Sequence, residues 1–140
     1  MCTAGKSAKE RRGTVAVEVA VIALPLLLLI FWILEFGRLV MVEQVLTNAA
    51  REGARRAVLE HMTASQVRTQ VLQYLGQTSV PGANVDVQPA DVPFHLLGFG
   101  DPITVTVSVP YAQASLFPLP AGLQGSTLSS TAVMRAERPE

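Results

Sequence analysis

The sequence has a single cysteine, Cys2, so no disulfide can form within the chain and a disulfide-stapled scaffold is excluded. Its two histidines, His61 and His95, stand on different predicted elements. Neither has a cysteine or carboxylate at ligand spacing, so no metal set is expected. Both read as surface or loop histidines. No glycine-rich phosphate loop is present. Gly98-Phe99-Gly100-Asp101 lacks both the lysine and the following helix, and no Gly-x-Ser-x-Gly elbow occurs. Charge is scarce as well, at 16% of residues with a net charge of zero, and the C-terminal region carries no basic patch of the kind nucleic acid requires. Neither a catalytic centre, a cofactor nor a nucleic-acid partner is therefore expected.

What the sequence does have is one long apolar run. From Val15 to Leu34 the only charge is Glu18 and the only proline Pro25, among Val, Ile, Leu, Ala, Phe and Trp. At about 1.5 Å per residue this stretch makes a helix of roughly 30 Å, enough to cross a hydrocarbon core. A core helix of a small soluble domain would not be apolar on every face over that length. The expected order is therefore a basic leader over 1–13, a transmembrane helix over 14–35, and an α+β domain over 36–140. Lys6, Lys9, Arg11 and Arg12 before the span predict a single pass through the cytoplasmic membrane, N-terminus inside and C-terminal domain outside. Membrane lipid is then the first partner. Trp32 near the outer end suits an interfacial position.

Glu18 is the anomaly inside the span, since an ionised carboxylate in a membrane helix costs on the order of 2–3 kcal/mol. It can be offset by a neighbouring cation or by snorkelling to the headgroups. A basic leader, then Gly13, four uncharged residues, Glu18 and a long apolar helix resembles the processing site of the type IV pilin superfamily. That resemblance implies cleavage by a prepilin peptidase after Gly13 and a new N-terminus at Thr14. Glu18 then becomes the fifth residue of the mature chain. Physically, the new α-amino group of one subunit could pair with Glu18 of a neighbour and offset the burial of both charges. Pilin helices often carry a proline where Pro25 stands, which makes Glu18 and Pro25 the candidate assembly residues of the span.

Beyond the span the apolar or small positions Leu39, Val42, Leu46, Ala49, Gly53 and Ala57 recur at spacings of three and four. Polar residues fill the other faces. One continuous helix from about 15 to about 60 is predicted, its outer part spanning about 36–60, with a Glu52–Arg56 ion pair. Glu35-Phe36-Gly37-Arg38 and Asn48-Ala49-Ala50-Arg51-Glu52-Gly53-Ala54-Arg55 resemble stretches that follow the span in TadE-like proteins. These are minor pilins or pseudopilins of the tight-adherence (Flp) pilus system. The resemblance implies a non-catalytic structural role in pilus assembly and, through such pili, surface adhesion. Its implied partners are prepilin peptidase, other pilin subunits and the tight-adherence secretion machinery. A second reading stays open: an uncleaved single-pass protein whose outer domain binds something unrelated to pili.

The remaining chain predicts small elements. Thr63-Ala64-Ser65-Gln66 is a capping-box pattern that opens a helix over about 64–75, ended by Gly76. Alternation predicts strands over about 84–88, 103–109 and 128–135, the clearest being Ile103, Val105, Val107 and Val109 against Thr104, Thr106 and Ser108. Pro89–Pro102 and Tyr111–Gly125 read as loops. Together these give an α+β domain in which the long helix packs on a small antiparallel sheet, a pilin-like shape.

Overall fold

The computed structural model describes residues 6–59, 62–78, 80, 82–90, 94–115 and 125–136. Three helices and three strands are named here: α1 (Lys6–Leu59), α2 (Ala64–Gln77), β1 (Asn84–Gln88), β2 (Pro102–Pro110), α3 (Tyr111–Ala114) and β3 (Thr127–Arg135). A single 3-10 turn, Phe94–Leu96, precedes β2. The chain divides into two compact units, Met1–Gly37 and Arg38–Glu140.

In the first unit α1 begins at Lys6, earlier than the apolar run itself. The helical start is consistent with Lys6–Arg12, whose lysines, arginines, alanine and glutamate are all good helix formers. Pro25 lies inside the helix, where it removes one backbone hydrogen bond without ending the element. From Thr14 to Leu34 nearly every residue is exposed.

The second unit is built on the sheet, whose strand order is β1-β2-β3 with both pairings antiparallel. Register places Val85 opposite Val107 and Val87 opposite Val105, and sets Val105 opposite Ala132 and Ile103 opposite Met134. Side chains alternate across a strand, so this register collects every branched apolar residue of β1 and β2 on one face. Ile103, Val105, Val107 and Val109 are all buried, and Leu128, Ala132 and Met134 of β3 are half-buried beside them. The other face is polar apart from the exposed Val133, and the Thr106 and Thr131 hydroxyls hydrogen-bond across it at 3.1 Å.

The outer part of α1 and the inner side of α2 cover the apolar face. On α1 the buried residues are Val42, Leu46, Ala49, Ala50, Gly53, Ala54 and Ala57. The predicted stripe is thus wider than the spacing of Leu39, Val42, Leu46, Ala49, Gly53 and Ala57 suggested, because Ala50 and Ala54 add a second row. α2 contributes Val67, Val71 and Leu75. Gly53 marks the closest approach. A Cβ there would stand 2.6 Å from a Val71 methyl and 3.4 Å from one of Val105.

α2 starts as the capping pattern predicts. The Thr63 N–H donates to Gln66 Oε1 at 2.9 Å, and the Val67 N–H donates to the Thr63 carbonyl at 3.0 Å. Its end differs from expectation. Gly76 remains helical, and Thr78 closes the helix by directing both its N–H and its hydroxyl to the Leu75 carbonyl, each at 3.0 Å. A threonine hydroxyl satisfies the orphan carbonyl that a left-handed glycine would otherwise serve. Arg68 ties α2 to the sheet through a 2.7 Å bond from Nε to the Val85 carbonyl.

The two predicted loops are partly structured. Phe94 is buried in the 3-10 turn while Leu96 and Phe99 stand exposed, so this apolar loop both covers the core and displays side chains. Tyr111–Ala114 forms α3 directly after β2. His61 lies outside the described residues, and the backbone of His95 belongs to the 3-10 turn.

Candidate assembly surface

The first part of the candidate site is the apolar segment of α1. Among the described residues, one helix is long and apolar enough to cross a membrane. The mean hydropathy of its apolar window is 2.7, and none of that window is buried. A core helix of a soluble protein would meet the same length and composition test while being covered by its own domain. This one is bare, and Val15, Leu24, Leu29 and Leu34 are each more than half exposed. Burying such a surface is favourable by about 25 cal/mol for every Å² taken out of water, so a bilayer or another protein is its natural solvent. Gly13 and Thr14 sit in α1 just before this surface, Glu18 is exposed on it one turn further on, and Pro25 is exposed near its middle.

The motif Glu35-Phe36-Gly37-Arg38 is divided between roles. Glu35 is the one buried charged side chain among the described residues, at 8% exposure, whereas Phe36 next to it is 69% exposed. A Cβ at Gly37 would meet nothing within 4 Å, so packing gives no reason for a glycine there. Arg38 opens the second unit and is a fastener. Its Nε donates to the Ala114 carbonyl at 2.7 Å, tying α1 to α3 at the end of β2.

The motif from Asn48 to Arg55 splits by face. Ala49, Ala50, Gly53 and Ala54 are buried against the sheet and α2, so the fold requires them small. Glu52 is half-buried and binds two arginines, Arg56 at 2.7 Å and Arg55 at 3.2 Å, which includes the predicted pair. These bonds hold its carboxyl below the usual glutamate range. The Arg56 hydrogen bond is the largest cause, partly opposed by desolvation, with Arg55 adding to it. Arg56 also reaches Gln70 of α2 at 2.9 Å, so the pair doubles as a bridge between helices.

Asn48 and Arg51 are exposed. With Val40, Glu43, Gln44 and Thr47 they line an open hollow along one flank of α1. The Thr47 hydroxyl meets the Ser130 hydroxyl at 3.0 Å, which places this flank beside β3. On the opposite flank, a cavity of about 30 Å³ lies between α1 and α2, lined by Glu52, Gly53, Gln70 and Tyr74 among others. That is far below the several hundred Å³ of a small-molecule site. No group of three or more His, Cys, Asp or Glu side chains able to hold a metal occurs among the described residues.

A comparison with protein families matches residues 13–55 to TadE-like protein. The chain carries a TadE-like segment. The match runs from Gly13, the predicted cleavage residue, to Arg55, the last residue of the second motif. It therefore takes in the apolar helix, the Arg38 fastener and the small-residue face. No curated protein and no solved structure matches the chain.

Sequence reasoning missed two features of this TadE-like segment. The narrow stripe omits Ala50 and Ala54, although the wider i, i+4, i+7, i+8 pattern of a fully covered helix includes them. The Arg38 bond had no signal, because α3 lies in a stretch whose composition predicts only a loop.

Proposed function

We propose that this TadE-like chain is a minor pilin or pseudopilin of the tight-adherence pilus, a non-catalytic structural protein of the bacterial cytoplasmic membrane. In this reading prepilin peptidase cuts after Gly13, and Thr14 becomes the N-terminus. The mature subunit assembles through its apolar helix with other pilin subunits or with the secretion machinery. The domain from Arg38 onward lies outside the membrane, and surface adhesion is the consequence of the pili so built.

The observation that carries this reading is the coincidence of three things on one segment. The family match covers it, no residue of its apolar window is buried, and Glu18 stands five residues beyond the glycine. An exposed carboxylate on an otherwise apolar surface is costly in lipid unless a cation meets it. A free α-amino group at Thr14 of an adjacent subunit is such a cation, and cleavage after Gly13 creates it.

The test is the mass and N-terminal sequence of the membrane-extracted protein from cells with and without prepilin peptidase. A start at Thr14 that depends on the peptidase is expected. A start at Met1 or Cys2 in both strains refutes processing and leaves an uncleaved single-pass protein with an outer binding domain.

A further inference from the structure

β3 is an edge strand whose outer side has no neighbour among the described residues, since it pairs with β2 alone. The bonds that bracket it fix which backbone groups are free. Tyr111 N–H donates to the Ser126 carbonyl and Ala136 N–H to the Asp101 carbonyl, both at 2.9 Å. Residues of that parity therefore face β2. Thr127, Ser129, Thr131, Val133 and Arg135 direct N–H and C=O to the open side. All five are exposed. Natural edges are usually blunted by charge, proline or a bulge. From Thr127 to Met134 this strand has no charged residue and no proline, and its register with β2 is unbroken.

The space beside that edge is furnished. The inner row of β3, Leu128, Ala132 and Met134, is only half-buried, so an added strand would complete its cover. Above the edge lies the hollow on α1, reached through the Thr47–Ser130 contact and carrying Glu43 and Arg51. Both are exposed, and neither has a recorded ion pair among the described residues. Along α1 they are separated by about 12 Å at 1.5 Å per residue. Four residues of an extended strand span roughly 13 Å and bring their side chains to the same face.

We propose that this edge and hollow dock an extended segment of a partner protein as a fourth, antiparallel strand. The segment carries an acidic residue for Arg51 and, four positions later, a basic residue for Glu43. The order follows from the fold. α1 rises from Arg38 beside Ala114, through Thr47 beside Ser130, to Gly53 beside Val105, so it runs against β2. A strand antiparallel to β3 runs with β2 and meets Arg51 before Glu43. A second copy joined edge to edge by a two-fold axis does not suit this site, because β3 has no charged residue from Thr127 to Met134 to offer to Arg51 or Glu43. The docking site rests on this geometry and not on the pilus reading.

The test uses the full chain in detergent micelles and a nine-residue probe of sequence Val-Thr-Glu-Thr-Val-Thr-Lys-Thr-Val, with a second probe in which Glu and Lys are exchanged. Amide hydrogen exchange is followed at β3. The first probe is expected to slow exchange at Thr127, Ser129, Thr131, Val133 and Arg135, and the exchanged probe to bind about tenfold more weakly. The double variant Glu43→Lys, Arg51→Glu should reverse that preference. Thr131→Pro removes an N–H from the open side while sparing the β2 ladder, so it should abolish binding of both probes with β2 still protected. Equal binding of the two probes, or binding that survives Thr131→Pro, overturns the proposal. So does β3 protection that rises with protein concentration in the absence of probe, which would make a second copy the occupant.

Discussion

Gly53→Ala tests whether the small-residue face of α1 is a steric requirement. In an isolated helix the change is favourable by about 1 kcal/mol, because alanine loses less backbone entropy than glycine. Here the added Cβ would lie 2.6 Å from a Val71 methyl, 3.4 Å from one of Val105 and 3.7 Å from one of Val67. Carbon atoms pack best at about 3.5–4.0 Å, so α1 and α2 must part by about 1 Å at this point. The obstructing groups are three valines, whose branched side chains have little χ1 freedom and cannot swing aside. Overpacking of this kind costs about 1–3 kcal/mol, and the stiffness of the neighbours puts this site in the upper half of that range. Subtracting the helix gain leaves a net loss of about 1–2 kcal/mol. Amide exchange at the buried β2 residues of the full chain in micelles reads this directly. It should accelerate about 5- to 30-fold if those amides exchange by opening of the domain. Gly76→Ala is the control, since a Cβ there meets nothing within 4 Å and the change should slow exchange in α2. Adding Val71→Ala to Gly53→Ala should recover part of the loss, a coupling expected only of groups in contact. If Gly53→Ala leaves β2 exchange unchanged or slower, the face tolerates a methyl group and the close-approach argument is wrong.

Arg38→Ala removes the bond to the Ala114 carbonyl and should cost about 1 kcal/mol, with exchange rising at 111–115 before it rises in β1. Uniform loss of protection across the domain would refute a local fastening role. Glu52 gives a pH dependence of known sign. Its folded carboxyl is held below the usual glutamate range, so its stabilisation is present above that range and is lost as pH falls through the lowered value. Both side chains of each pair are over a third exposed, so screening keeps the effect under about 1 kcal/mol. Thermal unfolding between pH 6 and pH 3 should fall less steeply in Glu52→Gln than in the wild type, and parallel curves would show that the pairs contribute nothing. Under the proposed processing, Glu18→Gln should leave cleavage after Gly13 intact while reducing association of the cut chain in mild detergent. Unchanged association by cross-linking would exclude the carboxylate from subunit pairing.

Much of this protein was determined by local pattern. The run from Val15 to Leu34 is legible as a helix of membrane-spanning length because no face of it is polar enough to meet water. The alternation of Ile103, Val105, Val107 and Val109 is the physical signature of a strand with one covered face, and it needed no partner to be read. Thr63 and Gln66 fix the start of α2 through bonds that span only a few residues. The end of α2 is equally local, since Gly76 does not end it because Thr78 reaches back to the Leu75 carbonyl and the chain has no need of a left-handed turn. Two things were decided by tertiary structure alone. Ala50 and Ala54 are core because α1 packs against both the sheet and α2 and is covered over a wide arc, and only those contacts decide between the narrow and the wide spacing pattern. Arg38 is a fastener because β2 ends in α3 with the Ala114 carbonyl facing it, a meeting of residues far apart in the chain. Local sequence sets backbone preference and the direction of each apolar face. Which faces meet, and how closely, is settled only when distant segments compete for the same volume.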